Sequence, residues 1–246
     1  ADICRVKTDG DAAASGIDWD AQATTLRAAI GNASCTEIWV KRGTYAPSSE
    51  YVIDRNLVLR GDFAGTETSA DDRALPLNPG NTTLDGDGAT RLLYIDGTST
   101  AINSSTLIEG FTLTGGNGAG AVGGGVVGGA VYCRADNGHE CSPGFSHVVF
   151  SANGVVNLSV GTSGGAVHNY AGAGSTSSPS FSDVTFDGNS ASWGGGVENH
   201  AIEGGVSSPS FRNVTFLRNH ANYGGAVANQ VSGGVSNTSF DNVTFS

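Results

Sequence analysis

The sequence contains no methionine, only 12 lysine and arginine residues, and no apolar run long enough to cross a membrane. These few basic residues face 23 acidic ones, and the net charge of −11 argues against binding to nucleic acid or to anionic lipid. Aromatic residues make up 8% of the chain and charged residues 14%, whereas there are 38 glycines. This composition is typical of a fold with small side chains, many turns and few helices.

The 246 residues are enough for one large domain or two small ones. Ala1 stands where an initiator methionine is expected, and either signal-peptide cleavage or engineering of the coding sequence leaves such a start. The four cysteines lack the CxxC spacing of zinc and redox sites, so we expect disulfides formed in an oxidising compartment. Three pairings are formally possible, and proximity in sequence favours Cys4 with Cys35 and Cys133 with Cys141.

A repeat of about 30 residues dominates the second half of the chain. The segments FSDVTFDGN, FRNVTFLRN and FDNVTFS begin at Phe181, Phe211 and Phe240, which are 30 and 29 residues apart. A glycine motif recurs in step with them, beginning at Gly128, Gly164, Gly194 and Gly224. Short alternating β-branched segments between glycine and asparagine turns predict an all-β fold, a right-handed parallel β-helix with one coil per repeat.

Stacked coils would align equivalent residues in columns along the β-helix. The predicted core columns are Val148, Val184, Val214, Val243; Phe150, Phe186, Phe216, Phe245; and Val131, Val167, Val197, Val227. Two ladders of hydrogen-bonded side-chain amides are predicted at the turns, formed by Asn153, Asn189, Asn219 and by Asn169, Asn199, Asn229. The repeated letters are therefore interpreted as scaffold.

The two ends of the chain differ from the repeats. Residues 1–45 are predicted to form an N-terminal cap that contains a short helix from Thr24 to Ile30, because the first coil of a β-helix must be covered. Residues 46–246 are predicted to form the coils, which become regular from about residue 105. The last repeat stops after its NVTF strand, so we expect continuation into a longer chain or end-to-end self-association.

Two tetrads recur within the repeats: GGAV at Gly128, Gly164 and Gly224, with GGGV at Gly194, and FxxN at Phe150, Phe186 and Phe216. They resemble the GGA[ILV] and FxxN tetrads of the polymorphic outer membrane proteins, a family of surface-displayed bacterial autotransporter adhesins. The segment that begins with EIWVKRGTY is similar to the cap of large secreted bacterial β-helix proteins. The resemblance implies a secreted protein or one on the bacterial outer surface.

The residues between the repeated letters are candidates for function. Period-2 alternation directs two columns outward, Tyr132, His168, Glu198, Ala228 and Arg134, Tyr170, His200, Gln230. Such residues are typical first of a solvated sheet face, and the alternative is a glycan-binding or adhesive face. Arg134, His168, Tyr170, Glu198 and His200 are also the types that a polysaccharide lyase uses for acid–base chemistry, and His168, Glu198 and His200 are candidate metal ligands.

Three further features have both a structural and a functional interpretation. Trp193 and Tyr223 precede their glycine pairs and are predicted to stack. The stack is either a platform for a sugar ring or a contact that only stabilises the β-helix. Asp85 and Asp87 in DGDG are weak candidates for calcium binding, although Gly-Asp turns are common. The loop between Cys133 and Cys141 carries several charged residues and is interpreted as a surface excursion.

Taken together, these patterns predict a secreted or cell-surface structural and adhesive segment that binds a surface glycan or protein ligand without catalysis. The alternative is a β-helical polysaccharide lyase or glycoside hydrolase. No cofactor is predicted apart from the calcium at Asp85 and Asp87, and no nucleic-acid partner.

Overall fold

The computed structural model describes residues 2–120, 126–154 and 161–246. The described elements are β1 (Ile3–Val6), α1 (Leu26–Gly31), β2 (Glu37–Lys41), β3 (Gly43–Tyr45), β4 (Tyr51–Ile53), β5 (Val58–Phe63), β6 (Thr82–Asp85), β7 (Leu93–Gly97), β8 (Leu107–Thr114), β9 (Val131–Ala135), β10 (Gly144–Ser151), β11 (Val167–Ala171), β12 (Ser180–Ser182), β13 (Thr185–Asp187), β14 (Ser190–Trp193), β15 (Val197–Ile202), β16 (Ser210–Leu217), β17 (His220–Tyr223), β18 (Val227–Ser232) and β19 (Ser239–Phe245). Two short 3-10 helices lie between β5 and β6, at Ala70–Asp72 and Pro79–Asn81.

The strands form three parallel sheets. The large sheet contains β1, β2, β3, β5, β6, β8, β10, β12, β13, β16 and β19; a six-stranded sheet runs β18-β15-β11-β9-β7-β4; and β14 pairs with β17. Successive strands of one repeat visit different sheets, since β13, β14 and β15 belong to the large, the two-stranded and the six-stranded sheet. The mostly β, parallel architecture predicted from the repeats is confirmed, and it is the arrangement expected of a parallel β-helix.

The predicted phenylalanine column lies in the large sheet. Phe186 pairs in register with Phe150 on one side and Phe216 on the other, with ring centroids 4.8 and 4.7 Å apart. Phe245 continues the column but is 53% exposed, and Val227 and Val243 are only partly buried. These three residues keep their places in the predicted columns but are less buried, because β18 and β19 have a described strand on one side only.

Both predicted asparagine ladders are present, but only the first lies at a turn, because Asn169, Asn199 and Asn229 lie within β11, β15 and β18. Asn153 Nδ2 donates to Asn189 Oδ1 at 3.1 Å, and Asn189 Nδ2 donates to Asn219 Oδ1 at 2.9 Å. In the second ladder, Asn199 accepts from Asn169 at 2.9 Å and donates to Asn229 at 2.8 Å. Each amide therefore satisfies a neighbour one coil away, which fixes the register of the stack.

The predicted disulfides are also present, Cys4–Cys35 and Cys133–Cys141, with Cα atoms 5.5 and 5.8 Å apart. Helix α1 starts two residues later than predicted, after Thr25, whose side chain accepts from the backbone N–H of Ala28 as the N-cap. Its buried face packs against β1, β2 and β4. Among the described residues, no helix has the length and apolar character needed to cross a membrane.

The glycine motif makes a tight turn between the two-stranded and six-stranded sheets. Gly194 has φ +59°, and a Cβ there would collide with the Val197 carbonyl oxygen, whereas Gly188, at φ +66°, has nothing within 4 Å of such a Cβ.

Gly188→Ala is therefore expected to cost about 1–2 kcal/mol for the left-handed backbone alone. Gly194→Ala should cost roughly 1–3 kcal/mol more, because the backbone must also shift. Urea unfolding of both variants measures the difference, and equal losses would contradict the tight turn.

Candidate functional site

Two outward-facing rows of side chains cross the six-stranded sheet. The parallel registers align the buried row, defined as Tyr94, Tyr132, His168, Glu198 and Ala228. Two positions further along each strand they align the open row, defined as Asp96, Arg134, Tyr170, His200 and Gln230. The two predicted outward columns are thus confirmed, and β7 extends each of them by one residue.

The two rows differ in exposure. Glu198 is 0% exposed and His168 is 3% exposed, so the interpretation as a solvated face is wrong for the buried row. Residues of the open row are half-buried and reach solvent. The buried row is therefore the floor of the site, and the open row is one of its sides.

Part of the floor is covered by a buried ion pair that the sequence patterns did not indicate. Arg91 lies with its guanidinium carbon 5.2 Å from the centre of the Tyr132 ring, and its Nη1 is 2.5 Å from Glu50 Oε2. The same guanidinium donates to the carbonyl oxygens of Gly118 and Val127. Arg91 and Glu50 come from segments outside the regular repeats, so no periodicity indicated their pairing.

His168 and Glu198 form the polar centre of the floor. His168 Nδ1 lies 3.0 Å from Glu198 Oε2, and Glu198 Oε1 has no hydrogen-bond partner of good geometry among the described residues. Burial alone would raise the pKa of Glu198, but the hydrogen bond and charge of His168, with a smaller contribution from the Ser163 hydroxyl, lower it overall. Glu198 is therefore an ionised carboxylate held in place by an imidazole.

The open row combines aromatic rings with a paired cation. Arg134 Nη2 lies 3.1 Å from Asp136 Oδ2, and its guanidinium carbon is 5.9 Å from the centre of the Tyr170 ring. The ring of Tyr170 meets that of His200 edge-on at 5.6 Å. Burial and the nearby His168 lower the pKa of His200, although Glu198 opposes the shift. At neutral pH His200 is therefore uncharged.

The opposite side of the site is the predicted aromatic stack. The rings of Trp193 and Tyr223 lie 4.1 Å apart with planes at 19°, and Tyr223 is 58% exposed. Ser163 pairs with Trp193 one coil earlier, and its hydroxyl is close enough to Glu198 to affect the pKa of that carboxyl. Ser163 therefore connects the column of Trp193 with the Glu198 carboxylate of the floor.

Ser163 is a site residue that the sequence patterns missed. The signal was present, because Ser163, Trp193 and Tyr223 each stand directly before the first glycine of the repeated pair. Serine is a common residue, however, and does not by itself indicate a binding site as two aromatic residues do. Its importance comes from its small size and from its contact across the turn with Glu198.

The other candidates lie apart from this site or have structural roles. Asp85 Oδ1 accepts from the backbone N–H of Asp87 at 2.9 Å, so this aspartate closes its own turn. The described residues contain no group of three or more histidine, cysteine, aspartate or glutamate side chains arranged to hold a metal ion. Neither the calcium interpretation of Asp85 and Asp87 nor the metal interpretation of His168, Glu198 and His200 therefore gains support from the geometry.

Acidification tests the environment of Glu198. Its folded-state pKa lies below the ordinary value near 4.3, so its ionised form stabilises the fold above that pH and this stabilisation is lost as the pH falls further. Glu198→Gln removes the titration. The difference in unfolding free energy between wild type and Glu198→Gln should thus be larger at about pH 6 than at about pH 3. Urea unfolding measures it, and a difference that does not change with pH would contradict the lowered pKa.

The site offers aromatic ring edges and faces on two sides and a fixed carboxylate–imidazole pair between them. Groups of this kind hold a ligand by stacking and by hydrogen bonds to its hydroxyls. The same imidazole, oriented by a carboxylate, has the arrangement of a general base. Comparison of the chain with protein-family models, with curated proteins and with solved structures finds no match in any of the three.

Proposed function

We propose that this chain is a right-handed parallel β-helix, covered at its N-terminal end by α1, that serves outside the cell as a structural and adhesive segment. We further propose kinship with the polymorphic outer membrane proteins, on the basis of the two repeated tetrads. The two disulfides support a secreted or cell-surface location, since they persist in oxidising compartments. The adhesive role is binding of surface glycans without catalysis.

The stack of Trp193 on Tyr223 carries the proposal of glycan binding. The two aromatic rings lie in adjacent coils with nearly parallel planes and are partly open to solvent, so they provide a rigid platform for the apolar face of a sugar ring. Rigid aromatic contacts cost little conformational entropy on binding. The polar floor beside the platform supplies partners for the ring hydroxyls.

Substitution of the platform tests the proposal. Trp193→Ala should reduce affinity for any glycan that the wild type binds by about tenfold to a hundredfold, as expected for loss of an aromatic anchor. Trp193→Tyr should retain most of the binding, and Leu75→Ala, at a residue 79% exposed elsewhere, should have no effect. Glycan arrays followed by calorimetry measure these affinities. Unchanged binding in Trp193→Ala would show that the stack of Trp193 and Tyr223 does not bind the glycan.

A polysaccharide-active enzyme is the second candidate, favoured by the His168–Glu198 pair. In a lyase, the imidazole would remove the C5 proton of a uronate, and Tyr170 would protonate the leaving oxygen as the C4–O bond breaks. Incubation with an acidic polysaccharide distinguishes the two functions. A rise in the ultraviolet absorbance of an unsaturated uronate would establish catalysis, and we expect none.

A further inference from the structure

We propose that this site selects uncharged glycans over polyuronates and other acidic polysaccharides, which rests on the proposed function and defines its ligand class. Two observations support it: the arginines beside the floor are paired with carboxylates, and further carboxylates surround the same space.

Each arginine beside these rows already has a carboxylate partner. Arg134 lies 3.1 Å from Asp136, and the buried Arg91 beside Tyr132 is paired with Glu50. His168 is bonded to Glu198, and the neighbouring His200 is uncharged at neutral pH because burial lowers its pKa. A uronate would therefore lose its hydration without gaining a cation.

Acidic groups surround the same space. Asp96 belongs to the open row, and Asp136 and Glu203 are near enough to raise the pKa of Tyr170, after the larger effect of its burial. Glu198 lies in the floor as a carboxylate. With a net charge of −11 on the whole chain, the field at the site repels anions.

The floor instead favours a ligand that donates hydrogen bonds. Glu198 is an ionised carboxylate that can only accept hydrogen bonds, so it favours hydroxyl donors and repels a second carboxylate. His168 is bonded through Nδ1, which leaves Nε2 for a further hydrogen bond. A sugar ring stacked on Trp193 lies over the small Ser163, with its hydroxyls toward this pair.

Matched oligosaccharides test the inference directly. The probes are three pairs of hexasaccharides with identical linkages, β-1,4-glucan and β-1,4-glucuronan, β-1,4-mannan and β-1,4-mannuronan, and α-1,4-galactan and α-1,4-galacturonan. Within each pair only the C6 group changes from an alcohol to a carboxylate. Calorimetry at low and high salt should show binding of at least one neutral member, favoured about tenfold or more over its uronate partner. The preference should decrease at high salt, where charge repulsion is screened.

Variants locate the selectivity. Glu198→Gln should bring the affinities of the neutral and acidic members within about threefold of each other, whereas Asp187→Asn on the large sheet should leave the ratio unchanged. Tighter binding of any uronate than of its neutral partner would overturn the inference while leaving glycan binding at Trp193 intact. Absence of binding to all six probes would refute both this inference and the proposed function.

Discussion

Phe186→Ala is expected to destabilise the protein by about 3–5 kcal/mol, the range for removing a large aromatic side chain from a packed core. Phe186 is 0% exposed and stacks on Phe150 and Phe216, with both ring planes within 7° of its own. It also meets the rings of Phe181 and Phe211 edge-on, at 5.5 and 6.4 Å. The substitution therefore leaves a cavity that faces three consecutive coils, and none of them can close it alone.

Thr185→Ala is the matched control for this experiment. Thr185 precedes Phe186 on β13, so its side chain lies on the opposite face of the sheet, where it is half-buried. Its replacement should cost no more than about 0.5 kcal/mol, as for an ordinary surface position. Urea unfolding of both variants measures the two losses. Similar losses would mean that the inward and outward faces of the large sheet are misassigned.

The scaffold was predictable because its constraints repeat in the sequence. Phe150, Phe186 and Phe216 occupy one column for a reason that acts equally in every coil, namely stacking at the strand spacing. The same holds for Asn153 and Asn189, since the side-chain amide of Asn153 donates to that of Asn189 one coil further on. Because the same packing recurs in every coil, the same residue types recur in the sequence, and the strand registers follow from their spacing.

The exposure of the site was not predictable in this way. Period 2 correctly directs Glu198 and His168 outward, but whether an outward residue meets solvent depends on what lies over it. Here Arg91, which donates to the carbonyl oxygens of Gly118 and Val127, lies over the neighbouring Tyr132, and the repeats have no arginine at this position. A contact made once leaves no repeat to detect.

The ion pairs of the site were likewise predictable only in part from the sequence. Arg134 and Asp136 are two residues apart and could be matched by proximity, whereas Arg91 and Glu50 are 41 residues apart in irregular segments. His168 and Glu198 are one repeat apart, and their contact follows from the register once the coil is recognised. The contacts between repeat residues of the site were thus predictable, whereas the contacts made by residues of the irregular segments were not.

Asn189→Ala is expected to destabilise the protein by at least about 3 kcal/mol, because several buried polar groups lose their partners at once. Asn189 Oδ1 accepts from the backbone N and the Nδ2 of Asn153, at 3.0 and 3.1 Å. Its own Nδ2 donates to the Phe150 carbonyl oxygen at 3.0 Å and to Asn219 Oδ1 at 2.9 Å. The side chain is 0% exposed, so water cannot replace these bonds without opening the stack.

Asn189→Asp separates hydrogen bonding from volume in the same column. Aspartate has nearly the size of asparagine but lacks the Nδ2 donor, so the Phe150 carbonyl and Asn219 Oδ1 would face a carboxylate instead of an amide. We expect a loss at least as large as that of Asn189→Ala, whereas Asn237→Ala, at an exposed position, should change the unfolding free energy by less than about 0.5 kcal/mol. Urea unfolding near pH 7 measures all three variants. A stable Asn189→Asp protein would show that the column requires only the shape of the side chain, and the ladder would then not be what holds the coils in register.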